Sequence, residues 1–312
     1  MLRHRLRSSC EDRSQDGFIL VATLWLLAAL AALVVIFSQY VSSSARALRA
    51  GDETLQADAL ISAGTELTAY RLLRVKDEDR PKKGGFRIRL GDDEIAVSFV
   101  TEAARIDLNA APKELIENLC LTLGADADAA KGYAERIVAW RSKPADNTTA
   151  QAEEALYASA GRKYAPRLAA FAHVDELALV QGPPPWLVER MMPFVTVYSG
   201  DPGVDAQVAA PEVVAALPGM TPLLLKDFLA SRDSLPSDPA AIAKALGPAG
   251  TTAAPAKSKA WRLRIVASAA AGWRHASTVV IAPTEKEGPY RVLSRQDEGP
   301  QARNAQTGRQ AS

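Results

Sequence analysis

The sequence is poor in the residues from which most catalytic and metal sites are built. It has three His and two Cys among 312 residues, and it contains no H-E-x-x-H, G-x-S-x-G or P-loop pattern. His4 lies near the N-terminus, and His173 and His275 stand alone in the sequence. Lone histidines are more often ordinary surface or core residues than ligands. We therefore predict that the chain is not an enzyme and has no catalytic residues.

Neither sign of charge is in clear excess, and thiols are scarce. The net charge is +1, so no global field favours nucleic acid or anionic lipid. Cys10 precedes the apolar run described next, and Cys120 lies in an apolar stretch, where we expect it to be a buried core residue. If the segment that carries Cys10 is removed, the remaining chain has one thiol and cannot form an internal disulfide.

From Phe18 to Phe37 the sequence has no charged residue, and nearly every side chain is apolar. A helix of about 20 residues rises about 30 Å, the thickness of the hydrocarbon core of a bilayer. Four arginines precede the run, and the next basic residue after it is Arg46. This asymmetry predicts a leader (1–17) in the cytoplasm, a membrane span (18–37) and a soluble region on the far side of the membrane.

Three interpretations of this N-terminal segment remain open at the level of residues. A cleaved secretory signal would use the small residues of Ala45-Arg46-Ala47, but the apolar run is too long and this site lies about eight residues beyond it. A single-pass anchor could be left unprocessed. In the third interpretation the leader is cut between Gly17 and Phe18, at the cytoplasmic edge of the run.

Proline is absent before Pro81, which favours one continuous helix from Phe18 to about Leu73, with residues 38–75 as its soluble half. The alternative is two helices broken near Gly51. Apolar side chains recur at steps of three, four or seven, and we expect this stripe to pack on a soluble domain. The stripe consists of Leu48, Leu55, Ala59, Ala63, Leu67 and Tyr70.

The apolar period then changes from helical to two, which is typical of strands. Residues 86–90 and 95–99 alternate around the turn signal Gly91-Asp92-Asp93 and predict a β-hairpin. Similar patterns return at 261–265, 278–282 and 290–293. We predict one sheet, with a first part at 76–105 and a second part at 255–295, interrupted by a helical insertion at 106–247. The polar tail, 296–312, is predicted to be disordered.

The insertion is rich in alanine, leucine and helix boundaries. Asp107 to Pro112 reads D-L-N-A-A-P, where Asn109 is expected to cap a helix and Pro112 to lie in its first turn. A weaker copy occurs at Ala209-Ala210-Pro211, with Val208 in place of the asparagine. The insertion is therefore predicted to hold two degenerate helical units, at about 106–200 and 204–247.

Several of these segments, taken in order, resemble one family. The Gly17-Phe18 step before an apolar helix looks like a prepilin peptidase site, and Ala22 stands at the fifth mature position, where most prepilins have Glu. The K-type minor pseudopilins of type II secretion (general secretion pathway protein K) are similar in lacking this Glu. The other matching segments are Asn109 to Pro112, Ile137 to Arg141, Asp175 to Leu177 and Pro193 to Ser199.

The resemblance implies an α+β fold. A long N-terminal helix would pack on a pilin-like antiparallel sheet that carries a large all-α insertion of the SAM or helix-hairpin kind. It implies cleavage between Gly17 and Phe18, N-methylation of Phe18, and a single-pass inner-membrane protein with its C-terminal domain in the periplasm. Ala22 and the stripe would pack against other helices. The partners would be the I- and J-type minor pseudopilins and prepilin peptidase, without nucleic acid, and the role would be at the tip of a pseudopilus.

Two further expectations concern ligands. No cofactor is certain, but the resemblance makes calcium possible, with oxygen ligands from Asp201 and Asp205. The alternative function is a membrane-anchored helix-hairpin-helix protein of a DNA-uptake system. That motif needs backbone N–H groups to hold phosphate. The turn at 123–128 has one Gly and two carboxylates, and the turn at 181–185 has three prolines, so neither turn favours nucleic acid.

Overall fold

The computed structural model describes residues 13–236, 238–251, 258–270, 272–284 and 289–298. Most of the expected leader and the end of the polar tail lie outside these ranges. The helices are α1 (Arg13–Leu73), α2 (Lys113–Thr122), α3 (Ala127–Arg141), α4 (Asn147–Ser159), α5 (Pro185–Met191), α6 (Pro211–Ala215), α7 (Pro222–Ser231) and α8 (Pro239–Leu246). The strands are β1 (Lys83–Leu90), β2 (Asp93–Thr101), β3 (Ile106–Asp107), β4 (Val195–Thr196), β5 (Trp261–Ser268), β6 (Arg274–Pro283) and β7 (Tyr290–Glu298).

One uninterrupted helix, α1, covers both the apolar run and the polar segment after it. The prediction of a continuous helix is confirmed, and the alternative break near Gly51 is wrong. A single exposed glycine costs a helix only about 1 kcal/mol, which its many other residues offset. The chain divides into two compact units, Met1–Ala59 and Leu60–Ser312, and each is described by itself.

The first unit contains the membrane-length part of α1. An 18-residue window of this helix reaches a mean hydropathy of 2.9, and none of that window is buried within the protein. Leu24, Trp25 and Leu26 are 64%, 73% and 62% exposed. A helix that is apolar on all sides and has no protein around it is suited to lipid rather than to water.

The second unit is built on a five-stranded antiparallel sheet in the order β1-β2-β5-β6-β7. β1 and β2 form the predicted hairpin, whose turn contains Gly91 at a φ of +62°, in the left-handed region that favours glycine. β2 then pairs with β5, so that Val97 lies opposite Ile265. The strands on either side of the insertion therefore belong to one sheet, as the alternating patterns predict.

The C-terminal part of α1 covers one face of this sheet. Leu60, Ile61 and Leu72 pack in one core with inward residues of β2 and β5. Gly64 lies where the helix comes near the strands. A Cβ atom at Gly64 would lie 3.0 Å from Cγ2 of Ile265 and 3.1 Å from Cγ2 of Ile95. Glycine at this position therefore lets the helix backbone approach the sheet.

The prediction of which residues of α1 cover the sheet is wrong, because a different face of the helix is buried. Leu48 and Leu55 are 72% and 69% exposed, and Ala59 is exposed as well. Ala63 and Leu67 are only half-buried. Two threonines belong to the buried face instead, and their hydroxyls donate to carbonyls four residues earlier, which satisfies them away from water. These bonds join Thr65 to Ile61 (2.9 Å) and Thr68 to Gly64 (2.6 Å).

The insertion forms a core of its own from α2 to α8, and β3 and β4 pair in parallel within it. It extends past the predicted end at residue 247, because a 3-10 helix at Gly247–Thr251 packs Ala249 into the same core. The prediction of a disordered tail from Gln296 is also wrong at its start. β7 pairs with β6 as far as Glu298, which gives those last polar residues a strand partner.

We expect Gly64→Val to lower the free energy of unfolding by about 1–3 kcal/mol, because the new side chain overpacks the interface between α1 and the sheet. Gly51→Ala is the control, since a Cβ at Gly51 has nothing within 4 Å. It should leave stability unchanged or raise it by up to about 1 kcal/mol. Urea unfolding of the detergent-solubilised chain, followed by tryptophan fluorescence, measures both variants. Equal losses in the two would contradict close packing at Gly64.

Candidate functional site

Glu102 lies where the chain leaves the sheet for the insertion, and it is fully buried. Its backbone N–H donates to the carbonyl of Ala260, the residue before β5, at 2.9 Å. Arg262 of β5 donates Nε to Oε1 at 2.7 Å and Nη2 to Oε2 at 3.1 Å. The hydroxyl of Thr196, on β4, donates to Oε2. One carboxylate thus connects the end of β2, the start of β5 and the insertion.

A second guanidinium shares this carboxylate. Nη1 of Arg105 lies 4.0 Å from Oε1 of Glu102, and its Nε donates to the carbonyl of Pro193 at 2.9 Å. The pKa of Arg105 is lowered to about 10, mainly by burial and also by the positive charge of Arg262, while the negative charge of Glu102 opposes both effects. Two cations around one buried carboxylate leave a local surplus of positive charge.

The N-x-A-P motif fixes the start of the insertion, but by different bonds from those expected. Asn109 does not cap α2, because the cap position is Pro112 and no side chain accepts a bond there. The amide of Asn109 instead pairs with the backbone of Phe171, donating Nδ2 to its carbonyl (3.0 Å) and accepting its N–H (2.7 Å). With Pro112 as the cap residue, Asn109 lies outside the helix and is available for this pairing.

Asp107 is buried beside this motif and holds two loops by their backbone. Its carboxylate accepts the N–H groups of Asn109 and Gly200, both at 2.7 Å. Burial raises the pKa of Asp107, and these backbone hydrogen bonds oppose the rise. Asp107 thus links Asn109, the first residue of the matching segments, to Gly200, which directly follows the last segment, Pro193 to Ser199.

The two middle motifs meet the first in space. Arg141, at the end of α3, donates Nη2 to the carbonyl of Ala111 at 2.7 Å, and Nη1 donates to that of Leu108. Trp140 beside it donates Nε1 to Glu176 at 3.2 Å. The ring of Trp140 also stacks on Phe171, with centroids 6.1 Å apart. Segments that are distant in sequence therefore form one network of hydrogen bonds and stacked rings inside the insertion. We call this network of Asp107, Asn109, Trp140, Arg141, Phe171 and Glu176 the lock.

The second helical unit repeats these bonds, in a register that differs from the predicted one. Asp205 accepts the N–H of Gln207 at Oδ1 (3.2 Å), as Asp107 accepts that of Asn109. The carbonyl of Asp205 accepts the N–H of Ala209 at 2.9 Å, as that of Asp107 accepts the N–H of Ala111 at 2.8 Å. Gln207, and not Val208, therefore occupies the position of the asparagine.

The hydrogen bonds of the arginine and of the amide are repeated as well. Arg232, just after α7, donates Nη1 to the carbonyl of Ala209 at 2.8 Å, as Arg141 donates to Ala111. The amide of Gln207 donates to the carbonyls of Leu235 and Pro236, both at 3.3 Å. The Ala-Ala-Pro match predicted a different alignment, in which Pro211 corresponds to Pro112. The two prolines are not equivalent, because Pro112 is the cap residue of α2, whereas Pro211 is the first residue of α6.

Both helix hairpins of the insertion have features that disfavour a phosphate. In the turn before α3, the carboxylate of Asp126 accepts the N–H of Ala129 at 3.0 Å, which places negative charge at the helix N-terminus. The turn between α6 and α7, which sequence reasoning missed, contains Gly219 at a φ of +80°. A Cβ there would lie 3.3 Å from Pro248, so the chain itself covers this turn.

The residues suggested for calcium do not fit such a site. Oδ2 of Asp205 lies 2.7 Å from Nζ of Lys82, so an ammonium group already occupies the place of a cation. Oδ1 of Asp201 accepts the N–H of Gly203 at 3.0 Å. Among the residues that the structure describes, no group of three His, Cys, Asp or Glu could hold a metal ion. Calcium binding elsewhere stays a prediction.

Cys120 is fully buried and free, as its apolar surroundings predict. Burial raises the pKa of its thiol to about 12. Because the thiolate is the reactive form, this cysteine is a core residue and not a nucleophile.

The residues assigned to processing and to helix packing lie on α1. Gly17 is within the helix, Phe18 is 75% exposed, and Ala22 is exposed as well. A single chain does not test cleavage or N-methylation, and both stay predictions. Packing of Ala22 and of the exposed residues from Leu48 to Ala59 against other subunits also stays a prediction.

Comparisons with known proteins agree with this architecture. Residues 98–200 match the model of the family described as type II secretion system (T2SS), protein K, and this range contains all parts of the first lock. The structure resembles a chain of the GspK-GspI-GspJ complex from the type 2 secretion system of enterotoxigenic Escherichia coli. The TM-score is 0.57 and the identity 17%, over 80% of this chain and 98% of the other. No curated protein matches the sequence significantly.

We expect Glu102→Gln to lower the free energy of unfolding by about 3 kcal/mol or more, because it leaves the half-buried guanidinium of Arg262 without its counter-charge. The control is Glu298→Gln, which breaks an exposed pair with Arg264 (2.8 Å) in the same sheet and should cost less than about 1 kcal/mol. Urea unfolding measures both changes. Similar small losses would show that Glu102 does not hold the junction.

Proposed function

We propose that this chain is a minor pseudopilin of type II secretion and that it forms the tip of the pseudopilus; the match of residues 98–200 to the protein K family supports this proposal. The observation that carries the proposal is the size and place of the insertion. It runs from β3 to the 3-10 helix that ends at Thr251, between two neighbouring strands of a sheet. A subunit with this bulk obstructs stacking along a filament, whereas nothing has to pack above it at the end.

The membrane segment supports the same position. A carboxylate within lipid costs about 2.5–3.5 kcal/mol, and prepilins that carry one at the fifth mature position are thought to pair it with the terminal amine of a neighbouring subunit. In this chain the position is Ala22. A subunit without that charge has no electrostatic contact to offer to a subunit above it.

The I- and J-type minor pseudopilins are the proposed partners. The structural relative is part of a complex described as GspK-GspI-GspJ, and it covers most of this chain. The face of α1 that carries the apolar side chains Leu48, Leu55 and Ala59, together with Asp52, is exposed. Small and apolar side chains let helices approach closely, within lipid or beyond it. This face is therefore the proposed contact with other pseudopilin helices.

The proposed location follows from the leader and the anchor. Arginines precede the apolar run and none follows it before Arg46, which favours a cytoplasmic leader and a periplasmic C-terminal region. The chain would be a single-pass protein of the inner membrane. Prepilin peptidase would cut between Gly17 and Phe18, on the cytoplasmic side.

Immunogold labelling of filaments assembled with this subunit tests the proposed position. Label at one end of each filament is the expected result. Label distributed along the shafts would overturn the tip assignment, and it would leave the family and the fold unchanged.

We expect Ala59→Glu to weaken co-purification with the I- and J-type subunits by about tenfold or more, because an unpaired charge would be buried between helices. Glu53→Lys is the control. It changes charge at an exposed position about 160° around the helix from Leu55, at 100° per residue. Pull-down from detergent extracts with quantitative mass spectrometry measures both. Equal effects would show that this face of α1 is not the contact.

Mass spectrometry of the membrane-extracted protein should show a chain that begins at Phe18 with an N-methyl group. Gly17→Val, which puts a branched side chain beside the bond to be cut, should leave residues 1–17 attached. A chain that begins at Leu48 would instead identify an ordinary secretory signal and remove the anchor from the mature protein.

A further inference from the structure

An open cleft lies between the insertion and the face of the sheet that is opposite to α1. It has a volume of about 440 Å³ and is lined by three arginines, Arg105, Arg262 and Arg264, together with apolar groups of Val100, Met192 and Pro193. The alternation of β5 explains this lining, because Trp261, Leu263 and Ile265 are buried on the side of α1. The two arginines between them therefore point to the opposite face.

The cleft contains guanidinium nitrogens that the protein does not use. Arg105 donates its Nε to Pro193. Its Nη1 lies 4.0 Å from Oε1 of Glu102, beyond hydrogen-bond distance, and within the described part of the chain neither terminal nitrogen donates a hydrogen bond. Arg262 uses Nε and Nη2 on Glu102, and its Nη1 is likewise left over. A half-buried guanidinium with donors to spare is a site for an oxygen anion.

The local charges also favour an anion. No acidic residue lines the cleft, and its other polar lining residues, Ser98, Thr278 and Gln296, are neutral. Glu102 lies buried beneath the floor, and Glu298 pairs with Arg264 at the rim at 2.8 Å. Three cations therefore face two carboxylates. The pKa of Arg105 is lowered to about 10, first by burial and then by the positive charge of Arg262.

We propose that this cleft binds an acidic segment of a protein chain, whose carboxylate is held by Arg105 and Arg262. The planar guanidinium fork matches a carboxylate with two parallel hydrogen bonds. Phosphate shares the chemistry of an oxygen anion, but the cleft is much larger than an inorganic anion and has an apolar wall at Met192 and Pro193. An apolar side chain next to the carboxylate fits that wall.

The test is direct binding to the full-length chain in detergent, and it does not depend on the proposed role in secretion. The probes are two fluorescein-labelled peptides, one of alternating glutamate and leucine and one of alternating glutamine and leucine. We expect the glutamate peptide to bind at least tenfold more tightly in fluorescence anisotropy, since a hydrogen bond to a charged group is worth about 1.5–3 kcal/mol. Equal affinities would overturn the proposal.

Variants locate the binding. Arg105→Gln should weaken the glutamate peptide about tenfold, and Arg264→Gln, which changes only an exposed pair, serves if the first variant is unstable. Arg89→Gln, at an exposed position on β1, is the control and should leave affinity unchanged. An equal loss in the control, or no loss at either cleft arginine, would place binding elsewhere. Inorganic phosphate that competes at the concentration of the peptide would identify a small-anion site and overturn the peptide assignment.

Discussion

The buried carboxylate of Glu102 is the contact through which the sheet accepts a large insertion between two paired strands. The entropic cost of closing a long loop grows only slowly with its length, so the size of the insertion is not the main difficulty. The difficulty is polar: the backbone and the charges at the crossing leave water and must find partners. Arg262 and Thr196 supply those partners from β5 and from the insertion. The strands β2 and β5 can then pair as if the chain between them were a turn.

This arrangement gives each face of the sheet a different cover. α1 packs on one face through Leu60, Ile61 and Leu72. On the other face Tyr198 of the insertion packs against Val280, in a small cluster of its own. The C-terminal part of α1 and the insertion therefore cover opposite faces of the sheet.

Much of this fold could be predicted from the sequence, because strong periodic patterns report burial directly. The hairpin around Gly91, the later strands and the uninterrupted helix are examples. The buried stripe of α1 could not be read in the same way. Thr65 and Thr68 look polar, but they satisfy their hydroxyls within the helix and are buried. The role of Asn109 was missed because its partner, Phe171, is distant in sequence. The arginines of the cleft come together only after β5 pairs and the insertion folds back.

The two helical units show why a short motif does not by itself define a function. Asp, an amide residue and a later Arg recur in both units, and each makes hydrogen bonds to the backbone of its own unit. In the second unit, Lys82 also contacts Asp205 and Gln207. In nucleic-acid binding, hairpin N–H groups stay free for phosphate. Here the carboxylate of Asp126 accepts one such N–H group, that of Ala129, and Pro248 lies against the turn at Gly219. The donors and acceptors of the repeated motif hold the helices of the insertion together.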